Sequence, residues 1–373
     1  MNLTGIQPGR IALVHANDGT DVRVGKVCRS LSAMGYDTHF IGWDRQPEWE
    51  KPVELGGSQQ HVMRRPTRFG RATLGGSVAF GWHVARTLRS LRPRTVCCVN
   101  EDNALLVLPM RGVYYERLVC DVFDALVDRH SHRSWPVRAG LRAVSELTRH
   151  FADRLIATDQ ARYEKFGRFR DKCTVIENVP EDPGEELSAT PPEGPVKVYV
   201  AGSLSLARGL RQILDVAEAL PDLRIVSAGW LYDDFANNVF LKHPSVEFRG
   251  IVTARRSLEL AADCDAVLSF YSPTSINNLQ ASPNKINDAM SVGRPVIINR
   301  EVEVSEWVEK NGFGYRCPYD DASGLERIVR VLERKREELP EYARRARRTF
   351  MLRHTWSVME SRLERLYASL DQE

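Results

Sequence analysis

The sequence predicts an α/β protein with two doubly wound domains, each built on a parallel sheet. Its 373 residues suit two domains of about 180 residues better than one. Short, apolar, β-branched segments alternate with amphipathic segments of helical length, which is typical of parallel sheets covered on both faces. A stretch rich in Pro, Gly and Glu divides two such series. We therefore expect an N-terminal domain at 1–180, a linker at 181–195 and a C-terminal domain at 196–350.

The strands are expected where these apolar segments lie. The first series predicts strands at 11–16, 38–43, 95–100, 118–122, 155–158 and 173–178, and the second at 196–201, 223–228, 246–250, 266–270 and 295–299. Residues 351–373 have apolar side chains at helical spacing, so we expect a helix that packs back toward the N-terminal domain. Open α/β sheets bind ligands where their strands end. Two facing sheets would hold substrates in the cleft.

Several classes of protein are excluded by composition. No run approaches the roughly 20 apolar residues of a membrane span, and the opening residues do not resemble a secretory signal peptide. The seven cysteines include no C-x-x-C pair, so we expect reduced, buried thiols and no structural metal site. These features predict a cytoplasmic protein.

The net charge of +3 is unevenly distributed. Residues 1–180 carry +8, from 27 Lys and Arg against 19 Asp and Glu, and the remaining residues carry −5. Basic residues and aromatic residues interleave in two stretches: Arg64, Arg65, Arg68, Phe69, Arg71, Phe80, Trp82, Arg86, Arg89, Arg92 and Arg94, then His130, His132, Arg133, Trp135, Arg138, Arg142 and Arg149. Two interpretations stay open: a solvated surface, or contact with an anionic bilayer or a lipid-diphosphate acceptor. Nucleic acid fits less well, because no known binding module is present.

The strongest motif is the segment SPNKINDAMSVGRPVIIN. It predicts a short helix with Ser282 as N-cap and Pro283 at the first helical position. The amino end of this helix carries Asn284 and Lys285, and backbone N–H groups together with a cation favour an anion there. Asp288 lies on the same face as Lys285 and suits a ribose diol.

A second motif resembles the first in its chemistry. After the strand at 196–201, a loop rich in small residues runs from Gly202 to Ala207, and Arg208 and Gly209 open a helix. The loop is neither a P-loop nor a G-x-G-x-x-G fingerprint. Together, the two motifs bring two cations and two helix ends, which is what binding a diphosphate requires.

These residues carry a family resemblance. The second half resembles the nucleotide-sugar-binding domain of retaining glycosyltransferases of family 4, which have the GT-B fold, through a Gly-Ser-x-x-x-x-Arg-Gly loop at 202–209 and a Pro-Asn-Lys helix at 283–297. The resemblance implies that Arg208 and Lys285 hold the donor diphosphate and stabilise the leaving group. The implied donor site comprises Gly202, Ser203, Arg208, Gly209, Gly229, Trp230, Ile251, Val252, Tyr271, Ser272, Asn278, Asn284, Lys285 and Asp288.

The first half resembles the same family more loosely. Its opening strand is followed by an Asp-x-Arg-Val loop, which implies that Asp21 and Arg23 lie on the acceptor side. Asp102, Asp121 and Asp124 lie at the carboxyl ends of predicted strands. The sequence does not decide which of the three orients the acceptor hydroxyl.

Two positions depart from the family pattern. Gln280 stands where the family often has a Glu, and Phe123 stands in an Asp-x-His string that has lost its His. The implied function is retaining, metal-independent sugar transfer from a nucleotide-diphosphate sugar to a glycan or lipid-linked acceptor, in cell-surface polysaccharide or glycoconjugate synthesis. The alternative is an inactive nucleotide-sugar-binding partner. A sugar-nucleotide epimerase would need acidic and His residues that the sequence does not place.

Overall fold

The computed structural model describes residues 7–47, 53–67, 74–131, 133–188 and 193–372. The chain divides into two compact units. Unit 1 comprises Met1–Asn178 with Met359–Glu373, and unit 2 comprises Val179–Val358.

Unit 1 is built on a parallel sheet of seven strands. These are β1 Gln7–His15, β2 Asp37–Asp44, β3 Gln59–Arg64, β4 Pro93–Val99, β5 Arg117–Val122, β6 Arg154–Ala157 and β7 Cys173–Val175, in the order β3-β2-β1-β4-β5-β6-β7. The helices of its first 178 residues are α1 Val22–Ala33, α2 Leu74–Leu91, α3 Asn100–Val107, α4 Leu126–Arg129, α5 Trp135–Phe151 and α6 Gln160–Glu164. β2 and β3 lie on one side of β1, and β4 to β7 lie on its other side, so the order in which the chain adds strands reverses between β1 and β4. We call the edge at which the strands of a sheet end its carboxyl edge.

Unit 2 repeats this plan with six parallel strands. They are β8 Lys197–Leu204, β9 Arg224–Leu231, β10 Val246–Phe248, β11 Ala266–Ser269, β12 Val296–Asn299 and β13 Gly314–Cys317, in the order β10-β9-β8-β11-β12-β13. Its helices are α7 Leu210–Ala219, α8 Asp234–Asn238, α9 Ala254–Ala262, α10 Ile276–Leu279, α11 Asn284–Ser291, α12 Ser305–Lys310, α13 Ala322–Arg334 and α14 Leu339–Arg353. The prediction of two doubly wound parallel sheets is confirmed.

The last helix, α15 Trp356–Gln372, contributes most of its length to unit 1. Its apolar face is buried at helical spacing: Met359, Leu363, Leu366, Tyr367 and Leu370. Its polar contacts reach strands and loops of unit 1. Arg362 donates to the carbonyl of Val175 at 2.9 Å, and Asp371 accepts from the Tyr36 hydroxyl at 2.6 Å.

Two strands lie where the sequence predicts none. β3 has an exposed, polar pattern because it forms an edge of the sheet, and β13 has only four residues. All seven cysteines are free, and six of them are buried, as predicted. No helix in the described ranges is both long and apolar enough to cross a bilayer.

A buried ion pair joins α1 to β5 inside unit 1. The Arg23 guanidinium donates to both carboxylate oxygens of Asp121, at 3.0 and 3.1 Å, and to the carbonyl of Ile176 at 2.7 Å. Asp21 caps α1 by accepting from the backbone N–H groups of Arg23 and Val24. Arg23 is 1% exposed and Asp121 3%, so the pair has a structural role in holding α1 against β5. The expectation that these two residues also serve the acceptor stays a prediction.

Replacing Asp121 by Asn should destabilise unit 1 strongly. The change leaves the Arg23 cation buried without its counter-ion, and breaking such a pair costs about 3–5 kcal/mol. Asp124→Asn is the matched control, because the Asp124 side chain is 41% exposed and its ion pair with Arg162 is worth at most about 1 kcal/mol. Denaturant unfolding of the full chain measures both. Equal losses in the two variants would contradict the structural role of the pair.

Candidate active site

Two glycines bring the ends of β8 and β9 into close contact in unit 2. Gly202 and Gly229 are register partners and have φ angles of 98° and 137°, in the region that favours glycine. A Cβ atom on Gly229 would overlap the carbonyl oxygen of Gly202, and one on Gly202 would lie 3.0 Å from Lys285 Nζ. The Lys285 ammonium therefore lies directly against bare backbone at the carboxyl edge of this sheet.

Arg208 lies in the turn between β8 and α7. Gly209, with a φ of 78°, ends that turn and begins α7. The Arg208 guanidinium packs over the Tyr271 ring, 3.9 Å from its centroid. Its Nη1 atom is buried and has no hydrogen-bond partner among the described residues. A buried, unpaired N–H of a cation is costly, and an anionic ligand would satisfy it.

Lys285 and Arg208 are electrostatically coupled. Burial lowers the pKa of Lys285, the carboxylate of Asp288 raises it, and the positive charge of Arg208 lowers it further. Lys285 is in the first turn of α11, which begins one residue later than predicted. Pro283, not Ser282, is the N-cap, and no side chain caps the helix. Its first N–H groups thus add donors to the two cations.

The loop after β11 is fixed to the loop that carries Arg208. The Ser272 N–H donates to the carbonyl of Ala207 at 2.9 Å. Asn299, at the end of β12, accepts from the Tyr271 N–H at 2.8 Å and donates to the Tyr271 carbonyl at 3.1 Å. Asn278 Nδ2 donates to the Ser272 carbonyl at 2.8 Å. These hydrogen bonds fix the backbone of Tyr271 and Ser272, and thereby position the Tyr271 ring beneath Arg208.

Sequence reasoning missed the residues that support this loop. Glu301 accepts from the Asn299 side chain at 2.8 Å and from the Tyr319 N–H, and the Tyr319 hydroxyl donates to the carbonyl of Leu206 at 3.0 Å. The available signal was the pair of polar residues, Asn299 and Glu301, at the end of an apolar strand. Gln280 binds Glu303 through its amide at 3.1 Å.

Apolar side chains lie exposed at the ends of β9 and β10. Trp230 is 50% exposed and Ile251 is 52% exposed. The Gly229 N–H donates to the Gly250 carbonyl at 2.9 Å, which fixes the two strand ends side by side. Val252 packs partly into the core. Ser203 and Asn284 are exposed, and Asp288 is partly buried.

In unit 1, the three candidate carboxylates differ in their partners. Asp121 is committed to Arg23. Asp124 pairs with Arg162, and Asp102 pairs with Arg129, each at 3.1 Å. The Asp102 side chain is 51% exposed, so it is the most accessible of the three.

The neighbours of Asp102 have structural roles. Asn100, at a φ of 66°, accepts from the N–H groups of Phe123 and Asp124 at 2.8 and 3.1 Å. Glu101 is fully buried and accepts from Arg149 at 2.7 Å. The two side chains fix the loop after β5 and leave Asp102 facing outward.

Only some residues of the two basic stretches form a basic surface. Arg68, Phe69, Arg71 and His132 lie outside the described residues. Phe80 is buried and stacks on Trp43 at 5.8 Å, and Arg149 is held by Glu101. Trp82 and Trp135 are exposed by 75% and 73%. Within the described ranges, no carboxylate lies at ion-pair distance from the remaining arginines around α5: Arg133, Arg138 and Arg142.

Comparison with known proteins supports the fold described above. Residues 208–366 match the model of a family described as glycosyl transferase-like. No curated protein matches the sequence. Sucrose-phosphate synthase from Thermosynechococcus elongatus superposes with a TM-score of 0.73 at 12% identity, over 97% of this chain and 98% of that one.

Two further structures show the same likeness. HepE from Anabaena in complex with UDP-glucose has a TM-score of 0.71 at 16% identity, with 96% and 99% of the two chains covered. WaaG, a glycosyltransferase of lipopolysaccharide biosynthesis, has a TM-score of 0.66 at 13% identity, with 95% and 99% covered. These likenesses establish the GT-B fold. Residues 208–366 are in addition similar to a family described as glycosyl transferase-like, so sequence and fold both resemble those of GT-B glycosyltransferases.

Proposed function

We propose that the chain is a retaining glycosyltransferase of family 4 that uses a nucleotide-diphosphate sugar as donor. The observation that carries this proposal is the buried Nη1 of Arg208, which has no hydrogen-bond partner in the described part of the chain. Its charge acts on the Lys285 ammonium at the start of α11, a helix that no side chain caps. Cations and free N–H groups at one point form an anion site. Because structures of HepE contain UDP and UDP-glucose, a nucleotide-sugar donor fits this site.

Each part of the donor has a group that suits it. Arg208 and Lys285 would hold the diphosphate over Gly202, where no side chain intervenes. Asp288 would accept hydrogen bonds from the ribose hydroxyls. Trp230 and Ile251 offer an exposed apolar surface to the base.

The remaining donor-site residues would surround the sugar and the phosphates. They are Ser203, Gly209, Gly229, Val252, Tyr271, Ser272, Asn278 and Asn284. Tyr271 has the best support, because its backbone is fixed by Asn299 and its ring lies under Arg208.

The proposed chemistry depends on stabilising the leaving group. The bond between the anomeric carbon and the diphosphate oxygen breaks, and the diphosphate gains negative charge. Arg208, Lys285 and the N–H groups of α11 stabilise that charge where it develops. The diphosphate then takes the proton of the acceptor hydroxyl, whose oxygen bonds to the anomeric carbon. In this scheme neither a metal ion nor a separate base is required.

The second candidate function is an inactive nucleotide-sugar-binding partner. It is motivated by two side chains that cannot exchange protons with a substrate: the Phe123 ring and the Gln280 amide, which is bound to Glu303. Both candidates predict donor binding. Only the transferase predicts release of the nucleotide diphosphate.

Removing either cation should weaken donor binding. We expect Lys285→Ala and Arg208→Ala each to raise the Kd about 10- to 100-fold, because a charge-assisted hydrogen bond contributes about 1.5–3 kcal/mol. A thermal-shift panel of UDP-, GDP-, ADP- and TDP-sugars selects the ligand, and calorimetry measures the Kd.

Lys310→Ala is the matched control, because Lys310 is an exposed lysine of unit 2 on α12. An unchanged Kd in Lys285→Ala would refute the donor-site assignment. Donor binding without any turnover by the unaltered chain would favour the inactive partner.

We also propose that the protein is cytoplasmic and binds the inner face of the plasma membrane. There it would use a glycan or lipid-linked acceptor in cell-surface polysaccharide or glycoconjugate synthesis. The support is the start of α5, where exposed Trp135 follows Arg133 by two residues and precedes Arg138 and Arg142. Because α5 lies between β5 and β6, which are parallel neighbours, it begins on the side of the carboxyl edge. Tryptophan and arginine together suit an anionic interface.

Reversing one of these charges should weaken membrane binding. Each Arg near an anionic surface contributes about 1 kcal/mol, so Arg142→Glu should lower vesicle binding about tenfold or more. The measurement is flotation with vesicles of phosphatidylcholine and phosphatidylglycerol at low salt. Arg344→Glu makes the same charge change at an exposed position on α14 and should have little effect. No flotation of the unaltered chain would overturn the membrane proposal.

A further inference from the structure

The turn between β8 and α7 is held in place by groups from three other segments of unit 2. The Leu206 N–H donates to the Asp233 carboxylate at 2.7 Å, and the Leu206 carbonyl accepts from the Tyr319 hydroxyl at 3.0 Å. The Ala207 carbonyl accepts from the Ser272 N–H at 2.9 Å. The backbone of this turn is therefore fixed by hydrogen bonds within unit 2.

Glu301, which follows β12 and is partly buried, connects two of the residues around this turn. Its carboxylate accepts from Asn299 Nδ2 at 2.8 Å and from the Tyr319 N–H at 3.2 Å. An ionised carboxylate accepts hydrogen bonds and donates none, so the Nδ2 end of the Asn299 amide has to face it. The Oδ1 end is then left for the Tyr271 N–H, which donates to it at 2.8 Å. Glu301 thus fixes the orientation of the amide that holds the Tyr271 backbone.

Tyr319 makes the second connection, from Glu301 to the turn. Its side chain is buried, and its ring packs against the Phe270 ring with centroids 6.0 Å apart. Burial raises the pKa of the Tyr319 hydroxyl above its ordinary value of 10, and this effect exceeds the lowering by the Gly209 N–H. The hydroxyl therefore keeps its proton and can donate it to the Leu206 carbonyl.

The position of the Arg208 guanidinium depends on both connections. The guanidinium packs over the Tyr271 ring, 3.9 Å from its centroid, and its backbone belongs to the turn that Tyr319 holds. The buried Nη1 atom, which has no hydrogen-bond partner among the residues that the structure describes, is placed by these two supports. Both supports lead to Glu301.

We propose that Glu301 is a positioning residue that holds Arg208 in place for the diphosphate of the donor. It acts through Asn299 on the Tyr271 ring and through Tyr319 on the turn. This inference rests on the proposed donor site. A side chain that is already held in its bound geometry loses less conformational entropy when the ligand binds. Loss of Glu301 therefore weakens donor binding although no ligand contact is removed.

The test measures the Kd of the full chain by calorimetry, with the one of UDP-, GDP-, ADP- and TDP-glucose that most raises its thermal transition. We expect Glu301→Ala to raise the Kd about three- to tenfold, because the hydrogen bonds that hold the guanidinium in place are lost. Glu301→Gln keeps one carbonyl acceptor and should raise the Kd less. The matched control is Glu306→Ala, which removes an exposed carboxylate in the first turn of α12 and should leave the Kd unchanged.

A second pair of variants separates positioning from general support of the fold. If Glu301 acts on the ligand through Arg208, its replacement should matter little once the guanidinium is gone. In the Arg208→Ala chain, measured at millimolar ligand, Glu301→Ala should change the Kd by less than about twofold. An equal fold-change with and without the guanidinium would mean that Glu301 only supports the fold, and it would overturn the proposal.

The outcomes also separate this inference from the function on which it rests. An unaltered chain that binds none of the four sugar nucleotides overturns both. Donor binding with an unchanged Kd in Glu301→Ala overturns the positioning role while the donor site stands. If Glu301→Ala does not fold, as judged by its thermal transition, Tyr319→Phe takes its place, because it removes only the hydroxyl that binds the turn. It should raise the Kd about threefold, and an unchanged Kd overturns the proposal.

Discussion

The candidate site of unit 2 depends on the contact between Gly202 and Gly229. A side chain at Gly229 would overlap the neighbouring carbonyl oxygen, so β8 and β9 can end side by side only as bare backbone. This contact leaves room above Gly202 for the Lys285 ammonium. The Lys285 charge and the free N–H groups at the start of α11 therefore lie close together at the carboxyl edge of this sheet. The chemistry of the site follows from a restriction on backbone packing.

Much of the fold could be predicted from the sequence, because buried parallel strands are continuous apolar runs. β3 and β13 were missed because neither is a continuous apolar run: β3 is a polar edge strand, and β13 contains Gly314 and Arg316. The motif around Lys285 correctly predicted a short helix. Its N-cap was misplaced by one residue, because Pro283 takes the extended conformation of a cap. Local pattern is a good guide to an element and a weaker guide to its first residue.

The candidate residues of unit 1 could not be predicted in the same way. Asp102, Asp121 and Asp124 look equivalent in the sequence, and only burial and ion pairing distinguish them. In unit 2, Glu301 and Tyr319 likewise belong to no motif. They come together because the strand order places the ends of β12 and β13 next to each other. Such a grouping depends on the order of the strands in the sheet, and neither the composition of the sequence nor the spacing of its residues reveals that order.

Two features described above bear on the stability of unit 2: no side chain caps α11, and the buried Nη1 of Arg208 has no hydrogen-bond partner among the described residues. Buried donors without partners cost folding free energy, and a ligand that accepts from them stabilises the folded state. If the proposed donor binds here, the resistance of unit 2 to unfolding rises with the concentration of sugar nucleotide. The abundance of the protein would then follow that concentration, because an unfolded chain is open to proteases.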